Sequence, residues 1–261
     1  MSFSALRPGH VADFIRSHRS PARAWFLHHI PKTAGSSLAE EFGAHLRPYR
    51  NLSVEYSPDT QSTTGALDGA VERFLAAGPG SWRSASGHVL SHHVARIAQA
   101  RPDVGFVTFL RHPFTRTISE YRYCRTEKHP PYKSFIERFP RIEDFLADPR
   151  EANKMSFYLF GSRALPPEAA VARLFARYDF IGLQERYPLS FNLMSRLMWG
   201  GSSPSARSRV TPSTEDNEVQ LTPELQERIL AVNQLDLAVY RAVAAVYAGI
   251  DKEAWALPPD P

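Results

Sequence analysis

The sequence predicts an α/β protein whose core is a doubly wound parallel sheet flanked by helices. Three short, largely apolar runs support this prediction, at residues 25–27, 104–110 and 178–183. Runs of this length are typical of strands that are buried on both faces of a parallel sheet. Each run is followed by a helical pattern, and strands that alternate with helices favour parallel pairing.

Length and composition are those of an ordinary globular protein. The chain has 261 residues, of which 43% are hydrophobic and 22% charged, enough for one large α/β domain. The net charge of +4 suits an anionic ligand, but the basic residues are scattered among acids, which does not indicate a nucleic-acid partner. No repeat is visible, so we expect a leader at 1–24 with a short helix at 11–18, a single domain at 25–250 and a tail at 251–261.

The sequence shows no targeting signal and allows no intrachain disulfide. The first twenty residues lack the apolar core of a secretory signal, and no run approaches the length of a membrane span. Cys124 is the single cysteine, so no intrachain disulfide can form, which fits a reducing compartment. We expect Cys124 to be a packed thiol rather than a nucleophile.

The first strand leads into a candidate phosphate-binding turn, in the stretch WFLHHIPKTAGSSL at residues 25–38. A small-residue turn with Lys32 separates the strand from a helix that should continue to about His45. The N–H groups of such a turn and the positive end of the helix dipole point at one spot, where a lysine adds charge and hydroxyls add donors. We therefore expect one set of residues to bind an anion: Lys32, Thr33, Ala34, Gly35, Ser36 and Ser37.

This turn differs from the common nucleotide-triphosphate P-loop, G-x-x-x-x-G-K-[ST], because Lys32 precedes Gly35 by three residues. The string HIPKTAGSSL instead resembles the 5′-phosphosulfate loop of sulfotransferases that use 3′-phosphoadenosine 5′-phosphosulfate (PAPS), most closely the heparan-sulfate 2-O-sulfotransferase-like branch. The resemblance implies the P-loop-kinase-like sulfotransferase fold. The alternative is an ordinary strand-to-helix turn with a solvated lysine.

The second apolar run, VGFVTFL, ends at Arg111, and His112-Pro113 then begin a helix. Ligands of open α/β sheets bind at the carboxyl ends of strands, where a guanidinium can hold a phosphate with two hydrogen bonds. An arginine cannot bind the Mg²⁺ that P-loop hydrolases and kinases need here, so the pattern favours an anion held by protein without metal.

The segment LRHPFTRTISEYRY resembles the sulfotransferase motif for the 3′-phosphate. Arg111 and Ser119 have the family spacing, which implies that both bind that phosphate. His112 stands where the family usually has an aspartate, which puts a local turn contact in doubt.

The segment SASGHVLSHH contains the candidate catalytic base. Its small residues allow close approach by another group, and Gly87-His88 match a G-H-x element of the family, which implies that His88 is the base. The alternative is a histidine that caps a strand or satisfies a buried carbonyl. Glu40 and Glu41 are further candidate bases, although we expect both to be exposed.

A metal site is not predicted. His88 and His92 are four residues apart, but Val89 stands where the H-E-x-x-H pattern requires glutamate. No third-ligand cluster follows them.

Three polar stretches, 47–69, 125–150 and 200–218, are predicted to be largely loops, with short helices near 142–146 and 70–77. We expect the first two, with part of the third, to form the acceptor side. In the family, the loop corresponding to 200–218 closes over the nucleotide, which implies that Arg209 and Thr211 bind it. A flexible polar linker is the alternative.

Later segments are predicted to be structural. The segment NKMSFYLFG resembles a family segment in which Asn153 and Tyr158 line the acceptor cleft or pack, and packing is favoured. Helices are predicted at 168–177 and 190–199, and one long helix should open at Thr222-Pro223. Three of its residues match the family and should hold it in place: Asn233, Asp236 and Tyr240.

Together these resemblances, over residues 25–247, imply transfer of a sulfuryl group from PAPS to a hydroxyl of a carbohydrate acceptor, with adenosine 3′,5′-bisphosphate as product and no metal. The alternatives are an ATP- or GTP-dependent phosphotransferase, a non-catalytic module that binds anionic glycans, and a sulfotransferase for small molecules or protein tyrosine. Eukaryotic relatives are typically anchored in the Golgi. The absence of a span and the starting Met1 favour a cytoplasmic protein over a trimmed catalytic domain.

Overall fold

Five parallel strands form one sheet in the computed structural model, which describes residues 3–53, 63–78, 80–204, 214 and 217–255. The strands are β1 (Trp25–His28), β2 (Tyr49–Leu52), β3 (Ser84–Gly87), β4 (Gly105–Leu110) and β5 (Phe180–Leu183), and their order is β2-β3-β1-β4-β5. From the central β1 the chain winds to one edge, returns, and crosses to the other side. This is the predicted doubly wound arrangement.

Helices connect and flank the strands. The described helices are α1 (Val11–His18), α2 (Gly35–His45), α3 (Thr63–Ala76), α4 (Ser91–Ala100), α5 (Pro113–Cys124), α6 (Tyr132–Arg138), α7 (Ile142–Ala147), α8 (Lys154–Phe160), α9 (Pro167–Arg177), α10 (Tyr187–Trp199), α11 (Pro223–Val232) and α12 (Gln234–Trp255). The predicted strands at the three apolar runs and the helices that follow them are confirmed. Helix α12 continues through Trp255, so the first five residues of the predicted tail are helical.

The main core covers the sheet. Every residue of β1, β3, β4 and β5 is buried, and β1 places Trp25 with no exposed surface. Gly105 makes room for that indole, because a β-carbon at Gly105 would lie 2.4 Å from the Trp25 ring. Helix α2 contributes Leu38 and Phe42, four residues apart on its buried face. Burial of one such large side chain stabilises the fold by about 1.5–3 kcal/mol.

A second apolar cluster holds α5 from its outer side. It joins α5, α6, α7, α11 and the turns between them through Ile118, Tyr121, Phe139, Ile142, Phe145, Leu146, Leu225 and Ile229. Because this cluster packs α5 against α7 and α11, it supports the helix that presents side chains to the strand ends.

Parts of the predicted loops are regular structure. The stretch 47–69 contains β2 and the first turns of α3, and 125–150 contains α6 besides the predicted α7. Strand β2 lies at the sheet edge, where Arg50 and Asn51 are exposed and Leu52 alone is buried, so it has no apolar alternation. Strand β3 was not predicted, because its residues are small and polar although buried.

The predicted long C-terminal helix is wrong in one respect: it is two helices, α11 and α12, that meet at an angle of 94°. Asn233 interrupts them, since its amide donates to the Ile229 carbonyl at 2.8 Å and accepts from the Asn153 N–H at 2.9 Å. Asn153 in turn accepts from the N–H groups of Leu235 and Asp236 and so caps α12.

The structural roles predicted for this region are confirmed. Asn153 and Asn233 hold each other's helices, and Asp236 accepts from the N–H groups of Met155 and Ser156 at the start of α8. Tyr158 packs against the main core.

Within the described residues, no helix alone is long and apolar enough to cross a membrane, whereas the bent pair α11–α12 meets that test by length and composition when taken together.

Candidate functional site

The candidate site lies where three neighbouring strands end. Strand β1 is parallel to both β3 and β4, with His28 beside Gly87 on one side and Thr108 on the other. The residues that follow these strands therefore emerge at one edge of the sheet. That edge is the carboxyl end of the strands, where open α/β sheets bind ligands.

The turn after β1 has the geometry of an anion cradle. Lys32 and Ala34 have positive φ angles of 69° and 73°, and the Thr33 hydroxyl donates to the Ile30 carbonyl at 2.9 Å to close the turn. Left-handed residues of this kind help to turn successive backbone N–H groups toward one point. Helix α2 then begins at Gly35, and Ala34 offers no side-chain cap to its first N–H groups. The predicted residues 33–37 thus surround a helix N-terminus suited to an anion.

Arg111 and the cradle belong to the same cleft. The Arg111 guanidinium donates through Nη1 to the Lys32 carbonyl at 3.3 Å and through Nε to the Thr115 hydroxyl at 3.1 Å. The two predicted anion-binding elements, 79 residues apart in sequence, are therefore in contact. This contact brings the Arg111 guanidinium against the backbone of the cradle.

Helix α5 lines the cleft between these two cations. Thr115, Ser119 and Tyr123 are four residues apart and so share a face of the helix, with steps of about 6 Å along its axis. Thr115 contacts Arg111, and the Tyr123 ring lies 4.1 Å beneath the Lys32 ammonium. Ser119, the second residue predicted to bind the 3′-phosphate, is half-buried and lies between them along the helix.

Glu185 supplies a carboxylate at the start of α5, where the sequence lacks the family aspartate. Its Oε1 accepts from the His112 N–H at 2.9 Å and lies 3.0 Å from the Thr115 hydroxyl. A carboxylate at a helix N-terminus is favoured by the helix dipole. The turn contact that His112 put in doubt is thus made by a residue after β5.

A buried charge network supports α5 from the side facing α8. Arg116 pairs with Glu120, and the Lys154 ammonium lies 2.7 Å from Glu120 and 2.5 Å from Glu151. Burial alone would raise the pKa of Glu120, but Lys154 and Arg116 hold it well below its usual range. Glu120 therefore keeps its charge at neutral pH and orients the helix through ionic contacts.

His88 stands at the end of β3 beside the cradle. Its Nδ1 lies 2.8 Å from the His29 carbonyl oxygen, which only accepts hydrogen bonds, so Nδ1 carries the hydrogen. In a neutral imidazole the other nitrogen, Nε2, then has the lone pair. The residue is exposed to solvent, so a bound molecule can reach it. The structure thus shows the carbonyl contact of the alternative prediction, and this contact leaves Nε2 able to accept a proton.

The surroundings of His88 keep it neutral. Desolvation by the protein around the cleft lowers its pKa below the usual value of 6.5, and the nearby Lys32 charge acts in the same direction. The hydrogen bond to His29 and the charge of Glu120 oppose this shift only in part. A proton acceptor in this position is therefore uncharged across the neutral pH range.

A buried histidine underneath the site links stability to pH. His28 accepts from the Tyr178 hydroxyl at 2.6 Å and donates to the Val89 carbonyl at 2.8 Å, and burial lowers its pKa to about 4. Between pH 6.5 and 4, His28 binds a proton in the unfolded chain but not in the folded one. The free energy of unfolding therefore decreases as the pH is lowered through this range. We expect a loss on the order of 3 kcal/mol over this range.

Urea denaturation at pH 7 and at pH 4.5 measures this loss. The His28→Gln variant, whose amide can still donate to Val89, should show a smaller fall than the wild type, because glutamine does not titrate. Equal falls in the two proteins would contradict this prediction.

Gly35 and His29 fit tightly together at the start of α2. A β-carbon at Gly35 would lie only 1.9 Å from Cδ2 of the His29 ring. The Gly35→Ala variant should therefore displace that ring and lose about 1–3 kcal/mol of stability. Gly43→Ala in the same helix is the control, since its β-carbon would meet Tyr49 at an ordinary 3.6 Å and alanine favours helix by about 1 kcal/mol. Chemical denaturation should separate the two variants, and a Gly35→Ala protein as stable as Gly43→Ala would contradict the packing argument.

A cavity of about 500 Å³ lies away from this cleft. Its lining includes Tyr121, Arg125, Arg141, residues 218–220 and Thr222. Tyr121 and Tyr123 are about 200° apart around α5, so the cavity lies on the face of the helix away from Lys32. The candidate groups Lys32, His88 and Arg111 lie at the strand ends, and we assign the candidate site there.

One further cluster has donor atoms suited to a metal, formed by Asp68, His92 and His93. The buried His93 accepts from the Leu90 N–H through Nδ1, so its Nε2 carries hydrogen and donates to Asp68 at 2.8 Å. This pairing consumes the nitrogen that would bind a metal and ties α3 to α4.

The remaining candidates have mixed outcomes. Glu40 is exposed as expected, but the expectation for Glu41 is wrong, because Glu41 is fully buried and lies 3.5 Å from His45. Burial raises the pKa of Cys124 to about 12, consistent with a packed thiol. Arg209 and Thr211 lie outside the described residues.

Reasoning from sequence missed three residues of this region: His29, Tyr123 and Glu185. His29 belongs to the string HIPKT, which was the available signal for it.

The five-stranded parallel sheet and its helices have the fold of sulfotransferases. A sulfotransferase from Alicyclobacillus acidocaldarius aligns with 87% of this chain and 96% of its own, with a TM-score of 0.50 and 18% identity. Mouse sulfotransferase SULT7A1, solved in complex with PAP, aligns with 94% of each chain, with a TM-score of 0.34 and 13% identity. No family profile and no curated protein matches the sequence. At 18% identity the first likeness establishes a shared fold, which confirms the predicted fold class.

Proposed function

We propose that this protein is a sulfotransferase that moves a sulfuryl group from PAPS to a hydroxyl of an acceptor. The observation that carries the proposal is the contact between Arg111 and the Lys32 carbonyl, at 3.3 Å. It makes the cradle and the end of β4 two walls of one cleft. A nucleotide with anionic groups at both its 5′ and 3′ positions matches this arrangement.

The donor would lie along the face of α5. Its 5′-phosphosulfate would occupy the cradle formed by Lys32 and residues 33–37, and its 3′-phosphate would meet Arg111 and Ser119. Charge-assisted hydrogen bonds to a guanidinium are among the stronger ones in proteins, so Arg111 would set the register of the nucleotide. The helix N-terminus and Lys32 would supply the corresponding positive potential at the other end.

The chemical step would be an in-line displacement at sulfur. His88 Nε2 would take the proton from the acceptor hydroxyl as its oxygen attacks, and the bond between sulfur and the 5′-phosphate oxygen would break. The electron pair stays on that oxygen, where the cradle N–H groups and Lys32 stabilise the growing charge. The products are a sulfate ester, adenosine 3′,5′-bisphosphate and a proton on His88. This account uses no metal.

The acceptor class follows from the sequence resemblance rather than from geometry. The string HIPKTAGSSL is most similar to the heparan-sulfate 2-O-sulfotransferase-like branch, so we propose a carbohydrate or glycoconjugate acceptor. We also propose a cytoplasmic location.

Thermal denaturation with different nucleotides tests the proposed donor. Adenosine 3′,5′-bisphosphate at one hundred times its Kd should stabilise the protein by about 2.7 kcal/mol, or raise Tm by about 5–10 °C. At equal concentration, 5′-AMP should raise Tm less, because it lacks the 3′-phosphate. A larger shift with ATP and Mg²⁺ would favour a phosphotransferase, and a shift with sulfated glycans alone would favour a binding module. Transfer from labelled PAPS to a panel of sugars, phenols and tyrosine peptides would then define the acceptor.

A further inference from the structure

The His29 side chain lies between the cradle and the candidate base. Its ring centroid is 3.9 Å from that of His88, with the two ring planes at 36°. The same ring fills the space above Gly35, where a β-carbon would come within 2.4 Å of three of its atoms. One imidazole thus contacts both the start of α2 and the ring of His88.

The backbone of residue 29 already holds one end of His88. The His29 N–H donates to the Gly87 carbonyl at 3.0 Å, and the His29 carbonyl accepts from His88 Nδ1 at 2.8 Å. The hydrogen bond from Nδ1 to the His29 carbonyl is the one that the structure describes for the His88 ring. It sets the tautomer, but a single contact at one nitrogen does not by itself hold the plane of an exposed ring. Close packing against the tilted His29 ring supplies the second constraint.

His29 acts in this arrangement as a neutral ring. Burial lowers its pKa well below the usual value, and the neighbouring His88, His28 and Lys32 add to the effect. A neutral His29 does not repel the proton that His88 must receive. Another flat, neutral ring could therefore take its place, whereas a non-planar side chain could not.

We propose that His29 is a positioning residue, whose closely packed ring holds the His88 imidazole with Nε2 facing the cleft. The role of His88 as a base rests on the proposed function, but the packing that orients its ring can be measured without turnover. Gly35 is part of the same packing arrangement, because the His29 ring can lie between α2 and His88 only if residue 35 has no side chain.

Three variants test which property of the His29 side chain orients His88: its planarity, its volume or its ring nitrogens. His29→Phe keeps a flat ring, His29→Leu keeps bulk without planarity, and His29→Ala removes both. The measurements are kcat, Kd for adenosine 3′,5′-bisphosphate, and the ¹⁵N chemical shifts of His88, which report its tautomer. Thermal denaturation establishes which variants are folded.

We expect His29→Ala and His29→Leu to lower kcat by up to about 10²-fold through misplacement of the base, with Kd changed less than about twofold. His29→Phe should recover most of kcat. In the wild type, the ¹⁵N shifts should show hydrogen on Nδ1 and a lone pair on Nε2, and His29→Ala and His29→Leu should show a mixture of tautomers that His29→Phe does not.

Two results would overturn the inference: an unchanged His88 tautomer and kcat in His29→Ala and His29→Leu, or a His29→Phe protein as impaired as both. The second result would give the His29 nitrogens a chemical role. If the wild type transfers no sulfuryl group, the proposed function fails, and the ¹⁵N shifts still decide whether His29 orients His88. If His29→Ala does not fold, the comparison of His29→Leu with His29→Phe decides the same point.

Discussion

Replacing His88 by alanine is expected to lower the rate of sulfuryl transfer by about 10²–10⁴-fold, the usual contribution of a general base. In the neutral ring its Nε2 has the lone pair, because Nδ1 donates to the His29 carbonyl at 2.8 Å. Binding of adenosine 3′,5′-bisphosphate should change little, since the cradle and Arg111 remain. Steady-state kinetics with saturating donor, together with calorimetric titration of the nucleotide, measures both quantities.

The matched control is His92→Ala, four residues further along. The His92 side chain is 56% exposed and lies 3.6 Å from Asp68 rather than in the cleft, so this variant should keep nearly wild-type turnover. In the wild type, kcat should stay level through pH 6.5 and fall only at lower pH, because the pKa of His88 is lowered and the protonated ring cannot accept a proton. Turnover that survives in His88→Ala would mean that another group is the base.

Arg111→Ala is expected to weaken binding of adenosine 3′,5′-bisphosphate by about 1.5–3 kcal/mol, the value of a hydrogen bond to a charged group. Binding of 5′-AMP should be almost unchanged, because that nucleotide has no 3′-phosphate for Arg111 to hold. The contrast between the two ligands separates loss of a specific contact from general damage to the cleft. Isothermal titration of both nucleotides against both proteins measures it.

Arg96→Ala controls for the loss of one positive charge. Arg96 is on α4, where it pairs with Glu72 at 3.2 Å on the surface, so its removal should alter both affinities slightly and equally. If Arg111→Ala weakens the binding of 5′-AMP as much as that of the bisphosphate, Arg111 does not bind a 3′-phosphate. The proposed orientation of the donor is then wrong.

The fold could be predicted where burial leaves an apolar signal. Strands β1, β4 and β5 are covered on both faces, and this demands apolar residues. Strand β3 is equally buried, but it is squeezed against neighbours that leave room only for small side chains, as at Gly87, where a β-carbon would meet the Leu52 backbone at 2.7 Å. The break at Asn233 depends on Asn153, which is 80 residues away, so no local pattern reports it.

Only part of the candidate site could be predicted from the sequence. Lys32, Arg111 and His88 each follow a strand and belong to a local string, so their positions were readable from sequence. Tyr123 contacts Lys32, and Glu185 replaces the missing carboxylate at His112, only because the chain folds distant segments together. Such partners have no signal in spacing or composition.

A crystal structure of the complex with adenosine 3′,5′-bisphosphate tests the central claim most directly, namely that Lys32 and Arg111 hold opposite ends of one nucleotide. The account predicts the 5′-phosphate in the turn at 32–37 and the 3′-phosphate within hydrogen-bonding distance of Arg111 and Ser119, with His88 facing the position of the sulfuryl group. A nucleotide bound elsewhere, or bound in this cleft with its two phosphates exchanged, would contradict it.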